Sequence, residues 1–372
     1  MSVTESLERL FELDAFDAGE RADARFLDAA RDVCAWHMER CEIFRTLCCQ
    51  EGFSPEQIRN IDDLPRIPWL MVNVFKRYHL TSVPESEIVA TFTSSGTTGQ
   101  ASHIAWDRGS MERQDAMRAA IMAGMGLVSD RPVNYLIFAY APDIAGAKGA
   151  AHAQSRYAGF APAADSFYAI HAGENGEPAF DAAECLDRLR AFSVTGLPVR
   201  IIGFPAFAWR VLCEMERTDV RLLFPEESLF ILAGGWKAAQ NEAVPKTVFA
   251  DMAAGRLGIP ATRIRDVYGF VEHGVPYMTC EAGRFHVPAY SRAFVRKPGT
   301  MELLSSGQRG LLHVVSPYNL AQPSLAVLST DYVILGDDCP CGRRTATMEI
   351  AGRAGVSKHQ GCAITAAELL KK

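Results

Sequence analysis

The chain contains a short stretch rich in hydroxyl groups and glycine, Thr93-Ser94-Ser95-Gly96-Thr97-Thr98-Gly99. An apolar run with the pattern of a strand, residues 88–92, precedes it, and a helical pattern begins near Gly109. The glycines allow backbone conformations closed to other residues, so several N–H and O–H donors can point at one polyphosphate. The stretch is not a Walker loop, because no Lys-Ser or Lys-Thr follows the second glycine. By itself it fits a phosphate-binding loop and a solvated surface loop equally well.

The composition is that of an ordinary globular protein and argues against several function classes. The chain has 372 residues and a net charge of -6, and this mild acidity argues against nucleic-acid binding, which needs a basic surface. No apolar run approaches the roughly 20 residues of a membrane helix, and the first residues lack the pattern of a signal peptide. Ten cysteines without an export signal indicate reduced thiols and a cytoplasmic location.

Helix and strand signals alternate along the middle of the chain, which predicts an α/β architecture of layered sheets and helices. Helices are predicted at residues 110–122, 182–192 and 207–218, and a further helix, interrupted by Pro245, is predicted up to Gly255. Strands are predicted at 133–141, 199–204, 229–233 and 264–268. Upstream, residues 20–51 predict one helix, in which we expect Cys34, Cys41, Cys48 and Cys49 to pack as buried thiols. Beyond Gly310, short predicted strands at 311–315, 327–335 and 347–350 indicate a small, mainly β subdomain near the C-terminus.

Three further loops carry polar or glycine residues at the ends of predicted strands. The strand at 229–233 runs into Gly234-Gly235, where a flat ring or a phosphate can approach the backbone. The strand at 264–268 leads through Tyr268-Gly269-Phe270-Val271 to Glu272, which offers an aromatic ring and a hard oxygen ligand for Mg²⁺. A later strand ends at Asp331, whose carboxylate is suited to two vicinal hydroxyls. Singly, each feature also fits an ordinary turn or a surface carboxylate.

Together, in order and character, these loops resemble those of the adenylate-forming enzymes, and the resemblance covers residues from about 60 to the C-terminus. It implies that Glu272 binds magnesium and that Asp331 holds the ribose. It also implies a nucleotide site formed by Ser94, Ser95, Gly96, Thr97, Thr98, Gly99, Gly234, Gly235, Tyr268, Gly269, Asp331 and Arg353. Two departures from the family pattern stand out. The lysine that often follows the phosphate loop is missing, and so is the mobile C-terminal domain that most members carry.

Within that superfamily the chain most resembles the LuxE acyl-protein synthetases, the adenylating component of a bacterial fatty acid reductase. The resemblance implies an AMP-binding domain over residues 1–352, with a helical N-terminal segment, and a short tail over 353–372 that carries the acyl-accepting Cys362. It implies ATP and Mg²⁺ as cofactors, a long-chain fatty acid as the substrate and a reductase as the partner; a homo-oligomer is left open. Lys358 and His359 precede Cys362, and cations there would lower the pKa of its thiol.

A possible zinc site is suggested by Cys339-Pro340-Cys341 together with Cys280 and His286. Four soft ligands in two pairs suit a structural Zn²⁺ in a closed, tetrahedral site. The spacing is not that of a standard zinc finger, and free thiols beside an unrelated histidine explain it equally well. Related aryl-CoA ligases resemble this chain in carrying a similar Cys-x-Cys-Gly-Arg.

Two other functions stay open at the level of sequence. A CoA ligase of the phenylacetate type shares the same loops, although the short C-terminus argues against it because the missing domain normally builds the CoA tunnel. A non-catalytic nucleotide-binding relative would lack acyl activation altogether. The substrate is not readable: the aromatic candidates for the walls of an acid-binding pocket suit an ordinary core as well, namely Phe138, Tyr140, Phe204, Phe207 and Trp209. Similarly, His152, His171 and His273 fit structural roles.

Overall fold

The computed structural model describes residues 2–93, 102–145, 156–173 and 176–354. By its contacts the chain divides into two compact units. Of the described residues, unit 1 contains those within 2–126, 269–277 and 284–354, and unit 2 contains those within 127–268 and 278–283. Unit 1 is therefore built from the early and late parts of the described chain, and most of unit 2 from its middle.

The first part of unit 1 is helical and ends in a β-hairpin and a long helix. Its elements are α1 (Val3–Phe11), α2 (Glu20–Arg40), α3 (Glu42–Gln50), β1 (Leu70–Met71), α4 (Val74–Arg77), β2 (Ala90–Thr93), β3 (His103–Trp106) and α5 (Arg108–Gly124). The single helix predicted for residues 20–51 is wrong, because Cys41 is extended (φ -111°, ψ 107°) and separates α2 from α3. Cys34, Cys41 and Cys48 are buried as predicted, whereas Cys49 is exposed.

Unit 2 contains a mainly parallel sheet with helices between its strands. Its elements are β4 (Val133–Tyr140), α6 (Pro142–Ala145), β5 (Ala163–Ala172), β6 (Pro178–Ala179), α7 (Ala182–Ser193), β7 (Val199–Gly203), α8 (Pro205–Arg217), β8 (Leu229–Ala233), α9 (Lys246–Leu257) and β9 (Ile264–Tyr268). Neighbouring strands follow the order β9-β8-β7-β4-β5-β6. Parallel strands joined by helices are the α/β architecture that the sequence predicts. Pro245 does not interrupt a helix; it is the residue directly before α9.

The remaining strands follow β9 in the chain and are mostly part of unit 1. They are β10 (Tyr277–Thr279), β11 (Phe285–His286), β12 (Arg292–Arg296), β13 (Leu303–Leu304), β14 (Arg309–Val315), β15 (Ala326–Gly336) and β16 (Thr347–Arg353). Within unit 1 the strand order is β13-β12-β14-β15-β16-β11, with antiparallel neighbours, and β1 joins β15 in parallel. The β structure predicted near the C-terminus is thus present, and it shares a unit with the N-terminal helices.

The connection between β14 and β15, residues 316–325, is buried along its whole length. The polar groups of a buried loop need hydrogen-bond partners, and the side chain of Gln322 forms two hydrogen bonds with the backbone of β3. Its Oε1 accepts a hydrogen bond from the Ala105 N–H (2.6 Å), and its Nε2 donates to the His103 carbonyl (3.2 Å). The connection therefore anchors the β2–β3 hairpin, which flanks the Ser/Thr/Gly stretch. Within the described ranges, no helix combines the length and apolarity needed to span a bilayer.

Candidate active site

Glu272 lies in the segment after β9, where the chain returns to unit 1. Its side chain is buried, at 6% exposure, and its Oε1 accepts a hydrogen bond from the Ser102 Oγ at 2.6 Å. Ser102 is fully buried and directly precedes β3. Burial raises the pKa of the Glu272 carboxyl, and the Ser102 hydrogen bond and the charges of Lys76 and Arg353 act in the opposite direction.

The surroundings of Glu272 fit a hard divalent cation. Burying a carboxylate costs several kcal/mol unless charge or hydrogen bonds compensate it, yet the side chain that donates to Glu272 is a neutral hydroxyl. Lys76 and Arg353 favour the charged form through their own charges. A carboxylate offers about four lone-pair sites, and oxygen is the ligand atom that Mg²⁺ prefers. The site therefore has both the donor type and the charge deficit that a magnesium ion would satisfy.

Asp331 and Arg353 face each other on adjacent antiparallel strands. They are register partners in the pairing of β15 with β16, and the Arg353 Nε lies 3.3 Å from the Asp331 Oδ1. The same Nε donates to the Thr330 Oγ1 (3.3 Å), while the Asp331 N–H donates to the Ser329 Oγ (2.8 Å). The charge of Arg353 also favours the ionised form of Glu272 and so lowers the pKa of its carboxyl, and all three predicted residues belong to unit 1.

Gly234, Gly235 and Tyr268 lie at one edge of the sheet in unit 2. Both glycines follow β8 and have positive φ angles of 84° and 64°, which explains the glycine pair because other residues rarely adopt this conformation. Tyr268 is the half-buried last residue of β9, the parallel neighbour of β8. The ends of adjacent parallel strands are where open α/β sheets bind ligands. Gly269 follows as an exposed residue and begins the return of the chain to unit 1.

Several predicted site residues lie outside the part of the chain that the structure describes. They are Ser94, Ser95, Gly96, Thr97, Thr98, Gly99, Lys358 and Cys362, together with His152 and His359. What is described of the Ser/Thr/Gly stretch is its flanking hairpin, in which β2 and β3 pair antiparallel from Ala90 with Trp106 to Thr93 with His103.

The four predicted zinc ligands converge. The ligand atoms of Cys280, His286, Cys339 and Cys341 all lie within 4.8 Å of one another, and the His286 Nε2 is 3.2 Å from the Cys341 Sγ. The other ring nitrogen of His286, Nδ1, is 3.1 Å from the Thr345 Oγ1. A second partner of this kind fixes the ring and leaves Nε2 for a metal. The donor set, three sulfurs and one imidazole nitrogen, is typical of structural zinc.

Two tight turns of the same build present the cysteines of this cluster. The Cys280 carbonyl accepts a hydrogen bond from the Gly283 N–H (2.9 Å), and the Cys339 carbonyl accepts one from the Gly342 N–H (3.1 Å). The two glycines have φ angles of 72° and 82°. Each turn thus depends on a glycine three residues after its first cysteine.

The aromatic candidates for an acid-binding pocket are packed in the core of unit 2. Phe138, Tyr140, Phe204 and Phe207 are buried members of one apolar cluster, and the half-buried Trp209 packs against it. A cavity in this cluster has a volume of ≈ 10 Å³, about the space of one water molecule and far too small for an acyl chain. These side chains therefore stabilise unit 2 by packing in its core.

Two of the histidines have structural partners. His273 is fully buried, and its Nε2 lies 2.7 Å from the Tyr277 hydroxyl. His171 is partly exposed and bonds the Glu184 carboxylate at 2.8 Å, which raises the pKa of the imidazole.

Sequence reasoning missed Ser102 and Lys76. Ser102 is 170 residues from Glu272 in the chain, so no local pattern reveals their hydrogen bond. Lys76 is part of the four-residue helix α4, in an irregular passage where no motif draws attention to it. For the segment that contains Ser102, the sequence shows only that the lysine that often follows the phosphate loop is missing.

Comparisons with known proteins identify relatives along nearly the whole chain. The family described as "Acyl-protein synthetase, LuxE" matches residues 7–371. A long-chain-fatty-acid–luciferin-component ligase from Aliivibrio fischeri is 25% identical over 92% of this chain and 88% of its own length. The enzyme of that name from Vibrio harveyi is 24% identical over 89% and 84%. Among solved structures, a 2-hydroxyisobutyryl-CoA ligase with bound acyl-AMP and CoA shares the fold, with a TM-score of 0.67, 20% identity, and coverage of 91% of this chain and 76% of its own.

Proposed function

We propose that the acid activated by this protein is a long-chain fatty acid and that its acyl acceptor is Cys362. The premise is that the chain belongs to the acyl-protein synthetase (LuxE) family and is an ATP-dependent, AMP-forming ligase that activates a carboxylic acid. The observation that carries the adenylation step is the grouping of Glu272, Asp331 and Arg353 in unit 1, while the names of the relatives support the fatty acid and the family resemblance supports the acceptor. These are a buried, under-compensated carboxylate and an acid–arginine pair on adjacent strands.

In the first step, an oxygen of the substrate carboxylate attacks the α-phosphorus of ATP, and pyrophosphate leaves. Such a reaction depends mainly on positioning and on neutralising charge. Glu272 would hold Mg²⁺, and the ion would supply positive charge to the phosphate oxygens. Asp331 would accept hydrogen bonds from the ribose hydroxyls while Arg353 holds its Oδ1. The Ser94–Gly99 loop would bind phosphate oxygens, and Gly234, Gly235, Tyr268 and Gly269 would border the adenine.

In the second step, the thiolate of Cys362 attacks the carbonyl carbon of the acyl-AMP. The carbon–oxygen bond to AMP breaks, AMP leaves with the electron pair, and a thioester forms on the protein. A thiol suits this step because it is intrinsically nucleophilic and partly ionised near neutrality. We assign to Lys358 the role of favouring the thiolate by its charge.

The decisive measurement is the intact mass of the protein after incubation with ATP, Mg²⁺ and a panel of carboxylic acids. We expect one acyl group on the wild type, lost on treatment with hydroxylamine, and none on Cys362→Ser, which should still exchange pyrophosphate into ATP. Cys49→Ser, which changes an exposed cysteine, is the matched control and should acylate normally. Acylation of Cys362→Ser would count against the acceptor, and efficient acyl-CoA formation on adding CoA would favour a CoA ligase instead.

We also propose that a reductase consumes the thioester and that the protein acts in the cytoplasm. Reduction is one reaction class that can consume a protein-bound fatty acyl thioester, and the names of the relatives place them with a luciferin component. The free thiols in the described ranges are consistent with a reducing compartment.

For the cysteine–histidine cluster we propose a structural zinc ion held by Cys280, His286, Cys339 and Cys341. Ligand atoms already within 4.8 Å of one another need only small shifts to reach the separation of about 3.7 Å between sulfurs bound to one zinc. The closed set leaves no position for substrate, so its role would be to stabilise the two cysteine turns.

Elemental analysis of protein purified without added metal tests the zinc site. We expect one zinc per chain in the wild type, and a strongly reduced content with a lower Tm in Cys341→Ser. Cys213→Ser, which changes a half-buried cysteine of α8, should keep its zinc. Wild-type protein free of zinc at full stability would exclude the site.

A further inference from the structure

The feature that neither the sequence pattern nor the proposed reaction explains is the hydrogen bond between Ser102 and Glu272. Both side chains are buried, at 0% and 6% exposure, and their oxygens are 2.6 Å apart. A contact this short between a hydroxyl and a carboxylate is a charge-assisted hydrogen bond, which is stronger and more directional than a neutral one. The hydroxyl therefore restricts the rotation of the Glu272 carboxylate.

Ser102 itself is held at a defined position. It directly precedes β3, whose backbone is bonded at His103 and Ala105 by the two ends of the Gln322 amide. Gln322 is fully buried in the connection between β14 and β15. A continuous series of contacts thus runs from that connection through β3 and Ser102 to Glu272.

We propose that Ser102 is a positioning residue that orients the Glu272 carboxylate for the divalent cation bound with ATP. This inference rests on the proposed role of Glu272. Ser102 bonds Oε1, and the carboxylate keeps further lone pairs for a metal. In the chain, Ser102 lies three residues after Gly99, the last residue of the Ser/Thr/Gly stretch. The hydroxyl occupies a segment where many adenylate-forming relatives have a lysine, and its function is different: it acts on the carboxylate.

The test measures binding of Mn²⁺, used as the probe, in the presence of ATP by electron paramagnetic resonance, and binding of ATP alone in EDTA by calorimetry. Partners that orient a metal ligand typically contribute about 10- to 100-fold to metal affinity. We expect Ser102→Ala and Ser102→Cys to raise the Kd for Mn²⁺ by that factor and to leave the Kd for ATP in EDTA unchanged. Cysteine keeps nearly the volume of serine and is a weak donor, so it carries the test if the alanine variant does not fold.

The control is Ser82→Ala, which removes a buried hydroxyl in contact with His37 and should bind Mn²⁺ like the wild type. Unchanged Mn²⁺ affinity in both Ser102 variants, alongside loss of Mn²⁺ binding in Glu272→Ala, overturns the inference and leaves the proposed function intact. Equal weakening of ATP binding in EDTA also overturns it, because the effect would then act on the loop. Wild-type Mn²⁺ affinity in Glu272→Ala overturns the metal role and this inference together.

Discussion

Unit 1 holds its two candidate acidic residues in opposite ways. Glu272 is buried and receives its hydrogen bond from a neutral hydroxyl, so burial raises the pKa of its carboxyl. Asp331, whose side chain is 16% exposed, lies on a strand opposite Arg353, whose side chain is 62% exposed. Charges act strongly where water is excluded and weakly where it is not. In the proposed roles, Glu272 would gain a further positive charge from a bound cation, whereas Asp331, already paired with Arg353, would accept hydrogen bonds from the ribose hydroxyls.

The largest expected effect concerns the buried acid. Glu272→Ala should reduce carboxylate-dependent exchange of pyrophosphate into ATP by on the order of 100-fold or more, because preorganised charge at the phosphates is lost. Glu349→Gln, an exposed acid on β16, is the matched control and should exchange at the wild-type rate. If Glu272→Ala exchanged pyrophosphate into ATP at the wild-type rate, the metal-binding role would be assigned to the wrong acidic residue.

Asp331 should matter less, and mainly for binding. Asp331→Asn keeps the shape but replaces charged hydrogen bonds, each worth about 1.5–3 kcal/mol, so we expect the KM for ATP to rise about 10- to 100-fold. The kcat should fall much less, because the ribose is remote from the reacting phosphorus. Steady-state kinetics over a range of ATP concentrations measures both constants, with Glu349→Gln again as the control. A loss confined to kcat would contradict the ribose assignment.

Arg353→Lys keeps the positive charge and removes the Nε that bonds Asp331 and Thr330. We expect a rise of only about 3- to 10-fold in the KM for ATP, because lysine replaces the charge but not the planar geometry. Arg344→Lys, an exposed position before β16, should have no effect. A fall in pyrophosphate exchange as large as that expected for Glu272→Ala would mean that Arg353 does more than position Asp331.

The same contrast between buried and exposed groups extends to the histidines and predicts a small dependence of stability on pH. Burial lowers the pKa of His37 to about 3; its Nε2 donates to the Asn319 carbonyl and the Ser82 hydroxyl donates to its Nδ1. The folded state keeps His37 neutral while the unfolded chain protonates it below about pH 6.5, so stability is lost as pH falls. From pH 6.5 to 5.5 this contributes about 1 kcal/mol to the loss in free energy of unfolding.

Urea unfolding at the two pH values measures that loss, and His37→Gln should reduce it. His171→Gln is the contrasting variant. The Glu184 carboxylate raises the pKa of His171, so its contribution is present at acid pH and declines as pH rises. A wild-type pH dependence in His37→Gln would show that His37 is not the titrating group.

The elements that the sequence predicts well are those whose signal is local. β8 and β9 have the bounds that the sequence predicts: β8 is an apolar run, and a glycine follows each strand directly, Gly234 after β8 and Gly269 after β9. The first half of β5 is exposed, so its pattern lacks the alternation or burial that marks a strand. The break at Cys41 has neither glycine nor proline to announce it. Such features depend on tertiary packing, which overrides local preference.

The residues of the candidate site also differ in whether a local sequence signal predicts them. Glu272 and Asp331 are predicted from the order of the loops that resemble those of the adenylate-forming enzymes, but the strand end predicted at Asp331 is wrong, because β15 continues through Asp331 to Gly336. The partner of each comes from elsewhere in the chain: Ser102 is 170 residues from Glu272, and Arg353 reaches Asp331 through strand pairing. The sequence shows the residue types of the cysteine–histidine cluster, but the convergence of Cys280 with Cys339 and Cys341 depends on the fold.

The contact between His37 and Asn319 spans 282 residues of chain, and this has a consequence for biosynthesis. At about 5 to 20 residues per second, the N-terminal helices emerge from the ribosome roughly 15 to 60 s before the segment that covers them. During that interval α2 can pack against α1 and α3 but lacks the contact of His37 with Asn319, and incompletely covered apolar surface attracts chaperones. Residues 127–268 make most of their contacts within their own segment. They can therefore fold before the N-terminal helices have gained their contacts with the later segment.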